Sequence, residues 1–341
     1  MKRILVVAPS WIGDTLLAQP LFARLRELHA ESIIDALAPG WTAPVLARMP
    51  EIAEVITSPF AHGELRLAER YRLGKQLRER RYDAAVVLPN TIKSALVPWF
   101  ARIPVRIGYV GESRYGLINR RHRLDRKALP LMAERYAQLA EAPGEAVRRP
   151  LLPARLAVNE DNRDAAVKAL GLTLDQPVAV FCPGAEYGPA KRWPTRHFAA
   201  LARILASDGY AVWLIGSPKE RAIGAEIVQL ADGAATDLCG RMDFGSVIDL
   251  MSAARVVVAN DSGLMHVAAA LGRPLVALYG SSSPEHTPPL SSSGPPARIA
   301  KIDIACSPCF KRECPLGHFR CMNDLAPPLV VAQIERAVAE K

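Results

Sequence analysis

Val256-Val257-Val258-Ala259-Asn260-Asp261-Ser262-Gly263-Leu264-Met265-His266-Val267-Ala268-Ala269-Ala270-Leu271-Gly272-Arg273-Pro274 is the most informative stretch of this 341-residue chain. Four apolar residues run into an Asn-Asp-Ser-Gly turn, and an alanine-rich helix follows at once. A short unbroken apolar run bounded by a turn reads as a parallel strand buried on both faces. The turn delivers polar side chains to the N-terminus of the helix, where unpaired N–H groups and the positive dipole end favour a phosphate. Asp261 is placed for sugar hydroxyls, and His266, about one turn in, for the same anion. The plainer alternative is an Asp/Ser helix cap followed by a core histidine, and the surrounding sequence decides between them.

Outward from this stretch, the same alternation recurs. Strands are expected over 2–9, 32–38, 54–58, 82–88 and 106–110, with helices between them. The first helix is expected over 14–29, with Leu17, Leu21, Leu25 and Leu28 on one face. A proline-rich passage over 141–153 reads as a linker. Beyond it come strands at 178–182, 211–216, 237–239, 256–260 and 275–279, and helices over 195–207, 219–231 and 244–254. A Ser/Pro-rich loop (281–296) and a cysteine-rich segment precede a closing helix at 329–339. Short apolar strands alternating with amphipathic helices mean βαβ units and parallel sheets. The expected fold is α/β, two Rossmann-like doubly wound domains facing a cleft, with ligands at the C-terminal ends of the strands.

Composition is that of an ordinary water-soluble globular protein, 50% hydrophobic and 23% charged. There is no run of about 18 apolar residues to span a bilayer. The opening Met1-Lys2-Arg3-Ile4-Leu5-Val6-Val7-Ala8-Pro9 is too short in its apolar part for a signal peptide and reads as the first strand, so a cytoplasmic protein is expected. The net charge of +9 is uneven: residues 66 to 127 hold 16 Lys/Arg against 5 Asp/Glu. Within them lies Arg120-Arg121-His122-Arg123-Leu124-Asp125-Arg126-Lys127, interleaved upstream with Tyr109, Tyr115 and several glycines. Such a patch implies an acidic partner, whether anionic lipid, phosphorylated glycan or nucleic acid; a solvated basic face is the alternative.

Each strand end of the second half carries a polar turn. Cys182-Pro183-Gly184-Ala185-Glu186-Tyr187-Gly188-Pro189-Ala190-Lys191-Arg192-Trp193-Pro194 combines glycines for close backbone approach with two cations ahead of a helix. A diphosphate leaving group needs that neutralisation when no metal supplies it, and no Asp-x-Asp occurs in the chain. Gly216-Ser217-Pro218-Lys219-Glu220 offers a carboxylate to a ribose diol, although Lys219 is an equal candidate there. Leu238-Cys239-Gly240-Arg241-Met242 offers a wall to an adenine. In the first half, Ser10-Trp11-Ile12-Gly13-Asp14-Thr15 puts Asp14 at a helix start, as an N-cap or as a general base.

Gly13-Asp14, Pro183-Gly184-Ala185 through Lys191-Arg192-Trp193-Pro194, and Asn260-Asp261-Ser262-Gly263 through His266 together resemble the heptosyltransferases of lipopolysaccharide core synthesis. The resemblance runs essentially end to end. In Arg114-Tyr115-Gly116-Leu117-Ile118-Asn119 and Cys306-Ser307-Pro308-Cys309-Phe310-Lys311-Arg312-Glu313-Cys314-Pro315 it is closer to the members that add the second heptose than to those that add the first. It implies an inverting glycosyltransferase of the GT-B fold. The reaction implied moves L-glycero-D-manno-heptose from its ADP-activated β form to the first heptose of the inner core.

Residue by residue, the resemblance makes Asp14 the base. It assigns the donor to Gly184, Lys191 (also catalytic, on the diphosphate), Arg192, Glu220, Met242, Asp261, Ser262, Gly263 and His266. Gly13, Arg120, Arg121 and Arg123 are expected to meet the acceptor. The domains expected are 1–150 for the acceptor, 151–325 for the ADP-sugar, and 326–341 as a helix packing back toward the first domain. The implied partners are ADP-heptose, a phosphorylated glycolipid acceptor and the cytoplasmic membrane face, with no nucleic acid and no required cofactor. The competing readings are a heptosyltransferase that adds the first heptose, a GT-B transferase for another nucleotide sugar, or a nucleic-acid-binding module, the last lacking any RNA-binding or zinc-finger pattern.

Four of the six cysteines, Cys306, Cys309, Cys314 and Cys321, cluster with His318. Cys-x2-Cys spacing is a zinc signal, but the second pair is Cys-x6-Cys and completes no known finger. Packed reduced thiols are the alternative to structural zinc. A cytosolic setting argues against permanent disulfides.

Overall fold

The computed structural model describes residues 1–60, 63–291 and 294–340. The chain divides into two compact units at Ala154–Arg155. In the first, strands β1 (Arg3–Val7), β2 (Ile33–Pro39), β3 (Glu54–Ser58), β4 (Ala84–Val87), β5 (Val105–Tyr109) and β6 (Arg120–His122) form one sheet ordered β3-β2-β1-β4-β5-β6. In the second, β7 (Val178–Cys182), β8 (Ala211–Leu214), β9 (Thr236–Asp237), β10 (Ala254–Asn260), β11 (Leu275–Leu278) and β12 (Arg298–Ala300) are ordered β12-β11-β10-β7-β8-β9. Counted from its own first strand, each unit has the same order, and every pairing is parallel. The strand order reverses between β1 and β4, and again between β7 and β10. That is where an open α/β sheet binds ligands, beyond the strands' C-terminal ends.

The apolar runs do what their composition requires. Every residue of β4 and β7 is buried, since helices cover both faces. The helix Thr195–Ser207 buries Phe198, Ala199, Leu201, Ala202 and Leu205, the stripe of a 3.6-residue period. Burying each of the larger ones contributes about 1.5–3 kcal/mol.

Several expectations need correction. The helix expected over 14–29 is two, Ile12–Leu17 and Gln19–Leu28, because Pro20 lacks an N–H and crowds the preceding turn. Leu17, Leu21 and Leu25 are buried, but Leu28 is exposed at its end. β6 lies inside the basic run, where no apolar period announces a strand. The passage 141–153, expected as a linker, is held by side-chain contacts: Glu141 pairs with Arg24 at 2.7 Å, Arg149 with Glu134 at 2.7 Å, and Val147 is buried. The closing helix, Pro327–Ala339, spends its apolar stripe within the second unit, burying Val330, Ile334 and Ala337 in that unit's core. Residues 292 and 293 of the Ser/Pro-rich loop, and Lys341, lie outside the described residues. Among the described residues no helix is long and apolar enough to cross a membrane.

Candidate active site

Asn260 organises the second unit's site. Fully buried at the end of β10, it accepts the Trp193 N–H on Oδ1 at 3.1 Å and donates through Nδ2 to the Pro183 carbonyl at 2.7 Å. Trp193 is buried in turn and donates its indole N–H to the Leu325 carbonyl at 2.7 Å. One amide thus joins the β10 turn to both ends of the glycine-rich turn after β7. Leaving it unpaired would cost about 1–3 kcal/mol per group, so the two turns hold a fixed relation.

That relation brings Lys191 to Asp261, 70 residues away, at 2.5 Å. Ser282 donates its hydroxyl to the same Asp261 oxygen, also at 2.5 Å. Asp261 is therefore not the cap of the following helix. Ser262 occupies the N-cap of Gly263–Ala270 and makes no side-chain cap bond, so its hydroxyl leaves the first-turn N–H groups open. His266 is buried on that helix, with Nδ1 unpartnered. Burial pushes its pKa down to about 4, Lys191 adding to the effect and Asp261 opposing it. At neutral pH it is an uncharged imidazole, so it offers an anion a hydrogen bond and no charge.

Glu220 does reach the glycine-rich turn. A Cβ on Gly184 would lie 1.4 Å from its Oε1, and one on Gly216 would lie 2.7 Å from its Oε2. Both glycines therefore make room for this carboxylate, which also accepts the Ser217 N–H at 2.6 Å in a capping box. Lys219 turns outward to Glu186 at 2.7 Å, which leaves Glu220 as the inward group. Arg192 bends its guanidinium to the Ala185 carbonyl at 3.4 Å, with its Nε buried and unpartnered. Met242 is half-buried in the turn before the helix Phe244–Met251, capped by Asp243.

Three participants escaped the sequence reading. Tyr187 lies between two cations, Lys191 Nζ at 5.2 Å and the Arg312 guanidinium at 5.1 Å from its ring centroid, close enough for cation–π attraction. Ser282 stands just past β11, in a Gly-Ser-Ser-Ser run that signals a polar strand end. Arg312 belongs to the cysteine-rich segment, which packs on the site: its carbonyl accepts the Ala190 N–H at 3.0 Å, and the Phe310 N–H donates to the Ser281 carbonyl at 2.6 Å.

The six cysteines are free thiols. Backbone N–H groups, that of Phe319 first, hold the Cys314 thiol below its ordinary pKa, whereas burial and then the charges of Cys309, Cys306 and Cys314 push Cys321 up. Among the described residues no three His, Cys, Asp or Glu side chains are grouped to hold a metal ion.

In the first unit, Gly13 and Asp14 lie within the first turn of Ile12–Leu17, whose N-cap is Trp11, so Asp14 is a first-turn carboxylate and not the cap. Thr15 ties its hydroxyl to the Trp11 carbonyl at 2.8 Å, and the Trp41 indole donates to the Ser10 carbonyl at 2.7 Å, bracing the turn. Tyr136, on the helix Met132–Ala137, was not anticipated; burial and then the charge of Asp14 drive its phenol pKa upward. The basic trio does not form one patch. Successive strand residues point to opposite faces, and Arg120 lines a cavity of about 190 Å³ with Met1, Leu25 and Leu28. Arg121 is exposed, its guanidinium 5.9 Å from the Tyr115 ring centroid, and Arg123 lies exposed beyond the strand.

The chain is similar to known proteins. The model of glycosyltransferase family 9 (heptosyltransferase) matches residues 70–320. Lipopolysaccharide heptosyltransferase 2 of Salmonella typhimurium is 44% identical over 99% of both chains. Lipooligosaccharide heptosyltransferase 2 of Haemophilus ducreyi is 42% identical, again over 99% of each. The structure of Escherichia coli ADP-heptose lps heptosyltransferase II superposes with a TM-score of 0.88 at 42% identity, covering 99% of both chains. With its two parallel six-stranded sheets and a match that spans the turns after β7 and β10, the chain belongs to glycosyltransferase family 9, the heptosyltransferases.

Proposed function

We propose that the protein transfers L-glycero-D-manno-heptose from ADP-heptose to the first heptose of the lipopolysaccharide inner core, with inversion. The observation that carries this reading is the Lys191–Asp261–Ser282 cluster beside an uncapped helix N-terminus, where the β7 and β10 turns meet. In it a cation for a diphosphate and a carboxylate for sugar hydroxyls are held as each other's partner until the donor replaces both contacts. Full-length identity with two heptosyltransferases 2 supports the choice of donor and acceptor.

In the reaction, Asp14 accepts the proton of the acceptor hydroxyl. The oxygen forms its bond to the anomeric carbon from the face opposite the phosphate, and ADP leaves with the electron pair of the broken C–O bond. Lys191 and Arg192 neutralise the departing diphosphate, work that a pre-placed cation performs without reorganisation. His266, neutral, adds an N–H donor. Glu220 takes the ribose diol and Met242 the adenine. The first unit supplies the base and the second holds the donor. The acceptor reaches the enzyme from the cytoplasmic membrane face, and Arg121 and Arg123 meet its phosphates.

Transfer assays on acceptors carrying zero or one heptose test this directly. Turnover with ADP-heptose on the one-heptose acceptor alone is expected. Turnover only on the heptose-free acceptor would move the chain to the other branch of the family, and turnover with a different nucleotide sugar would overturn the donor.

A further inference from the structure

The helix Ile92–Phe100 carries one charge in nine residues, a composition suited to a core. One side of it meets that expectation: Ser94, Ala95, Val97 and Pro98 are buried. The other does not. Ile92 and Trp99, seven residues apart and so on one stripe, face water, Trp99 at 46% exposure. The neighbouring helix Leu67–Leu77 repeats the pattern, with Leu67 and Tyr71 one turn apart and 52% and 46% exposed.

The two stripes adjoin. Tyr71 meets Phe100 edge-on at 5.3 Å, and Phe100 lies 5.0 Å from Trp99. The helices approach so closely because Gly74 has no side chain; a Cβ there would come 2.5 Å from that of Phe100. Of the cations on these elements, Arg72 follows Tyr71, Lys75 lies one turn beyond Tyr71, and Arg102 lies three residues past Trp99; all three are exposed and without an acidic partner among the described residues. Arg102 is placed by its N–H on the Trp99 carbonyl at 3.0 Å.

We propose that this face docks the protein on an anionic lipid bilayer. Trp99 and Tyr71 lie at headgroup depth, where an amphipathic ring is accommodated, and Arg72, Lys75 and Arg102 lie over lipid phosphates, each attracted by the negative surface. Charge complementarity selects this occupant. A second copy of the chain would set the same unpaired cations against one another, whereas an anionic surface neutralises them while it covers the apolar stripes. The reason for visiting a membrane rests on the proposed glycolipid acceptor; the surface itself does not.

The test is co-sedimentation of the full chain with vesicles of phosphatidylcholine alone, or of equal parts phosphatidylcholine and phosphatidylglycerol. Binding to the mixed vesicles, weakened by salt, is expected. Trp99→Ser should lower it about tenfold, the scale for half of a large apolar side chain. Arg72→Glu with Lys75→Glu should lower it at least about fivefold per position. Both variants should keep wild-type kcat on a deacylated, water-soluble acceptor and lose rate on the acceptor embedded in vesicles. Wild-type binding by a folded Trp99→Ser protein overturns the proposal, as does a wild type that ignores the mixed vesicles. A dimer that Trp99→Ser dissociates would instead make this face a self-interface, and also overturns it. Failure of transfer on the soluble acceptor would sink the heptose reading and leave vesicle binding standing.

Discussion

The turn after β1 and the turn after β7 occupy equivalent places in two sheets of identical strand order, yet they are built on opposite plans. The β1 turn offers one carboxylate, Asp14, in the first turn of a helix, braced by the Thr15 hydroxyl on the Trp11 carbonyl and the Trp41 indole on the Ser10 carbonyl. The β7 turn is stapled by buried Asn260 and carries Lys191, already engaged by Asp261. On the proposed reading Asp14 has only to be held where it can take up a proton, and a helix N-terminus favours a carboxylate there. A site that must accept a diphosphate needs cations placed in advance, and a carboxylate holds them there. Topology sets where a site lies, and side-chain pairing sets what it does.

Asp14→Asn is the largest expected break in this contrast. It keeps volume and removes the proton acceptor, so kcat should fall by about 10²–10⁴, with donor KM within a few-fold. Steady-state kinetics on both substrates checks it, and near-normal turnover reduces Asp14 to a favourable first-turn charge. Lys191→Met should instead weaken the donor, raising its KM by about 10–100-fold, the scale of a charge-assisted contact of about 1.5–3 kcal/mol. Because that variant leaves Asp261 buried without its cation, it should also lose stability. Adding Asp261→Asn should restore stability, with a coupling of about 0.5–3 kcal/mol in a double-mutant cycle of denaturant melts, while activity stays low. Additive stability losses would show that the pair is incidental.

A smaller effect is expected at Gly184. Gly184→Ala must displace the Glu220 carboxylate from its Ser217 N–H, costing about 1 kcal/mol of stability and raising donor KM several-fold. An unchanged KM would remove Glu220 from the donor site. The smallest concerns pH. His266 has a folded pKa near 4, below its ordinary 6.5, so only the unfolded chain takes up this proton as pH falls between those values. Its contribution to stability is therefore complete above about pH 6.5 and declines toward pH 4. His266→Gln should flatten that part of the melting-temperature profile. An identical slope would show that the imidazole is not buried neutral.

Much of the fold was legible because buried parallel strands are apolar throughout. β7, β10 and β11 stand out in the chain for that reason, and Gly, Pro and Asp mark their ends. β6 and β12 were not legible, because each is an edge strand of three residues, too short to show a period, and β6 is all basic or polar. The break at Pro20 was readable from its chemistry and was outweighed by the leucine repeat. Asp14, Lys191, Glu220 and Asp261 stood out as candidates from their places at strand ends. Tyr187, Ser282, Arg312 and Tyr136 did not, since what singles out each is a contact with a distant or buried neighbour and not its place in a motif.

By itself, then, the sequence determined two parallel doubly wound sheets, the turns that bear their polar residues, and the family. Those properties are local, resting on apolar runs, turn chemistry and short motifs. Only the tertiary structure decided that Lys191 is paired with Asp261 across 70 residues, that His266 is neutral, and that Glu220 and not Lys219 faces Gly184. It also decided that Arg120 and Arg121 serve different surfaces. Charge pairing and burial depend on which distant segments meet in space, and no pattern along the chain encodes that meeting before the sheets assemble.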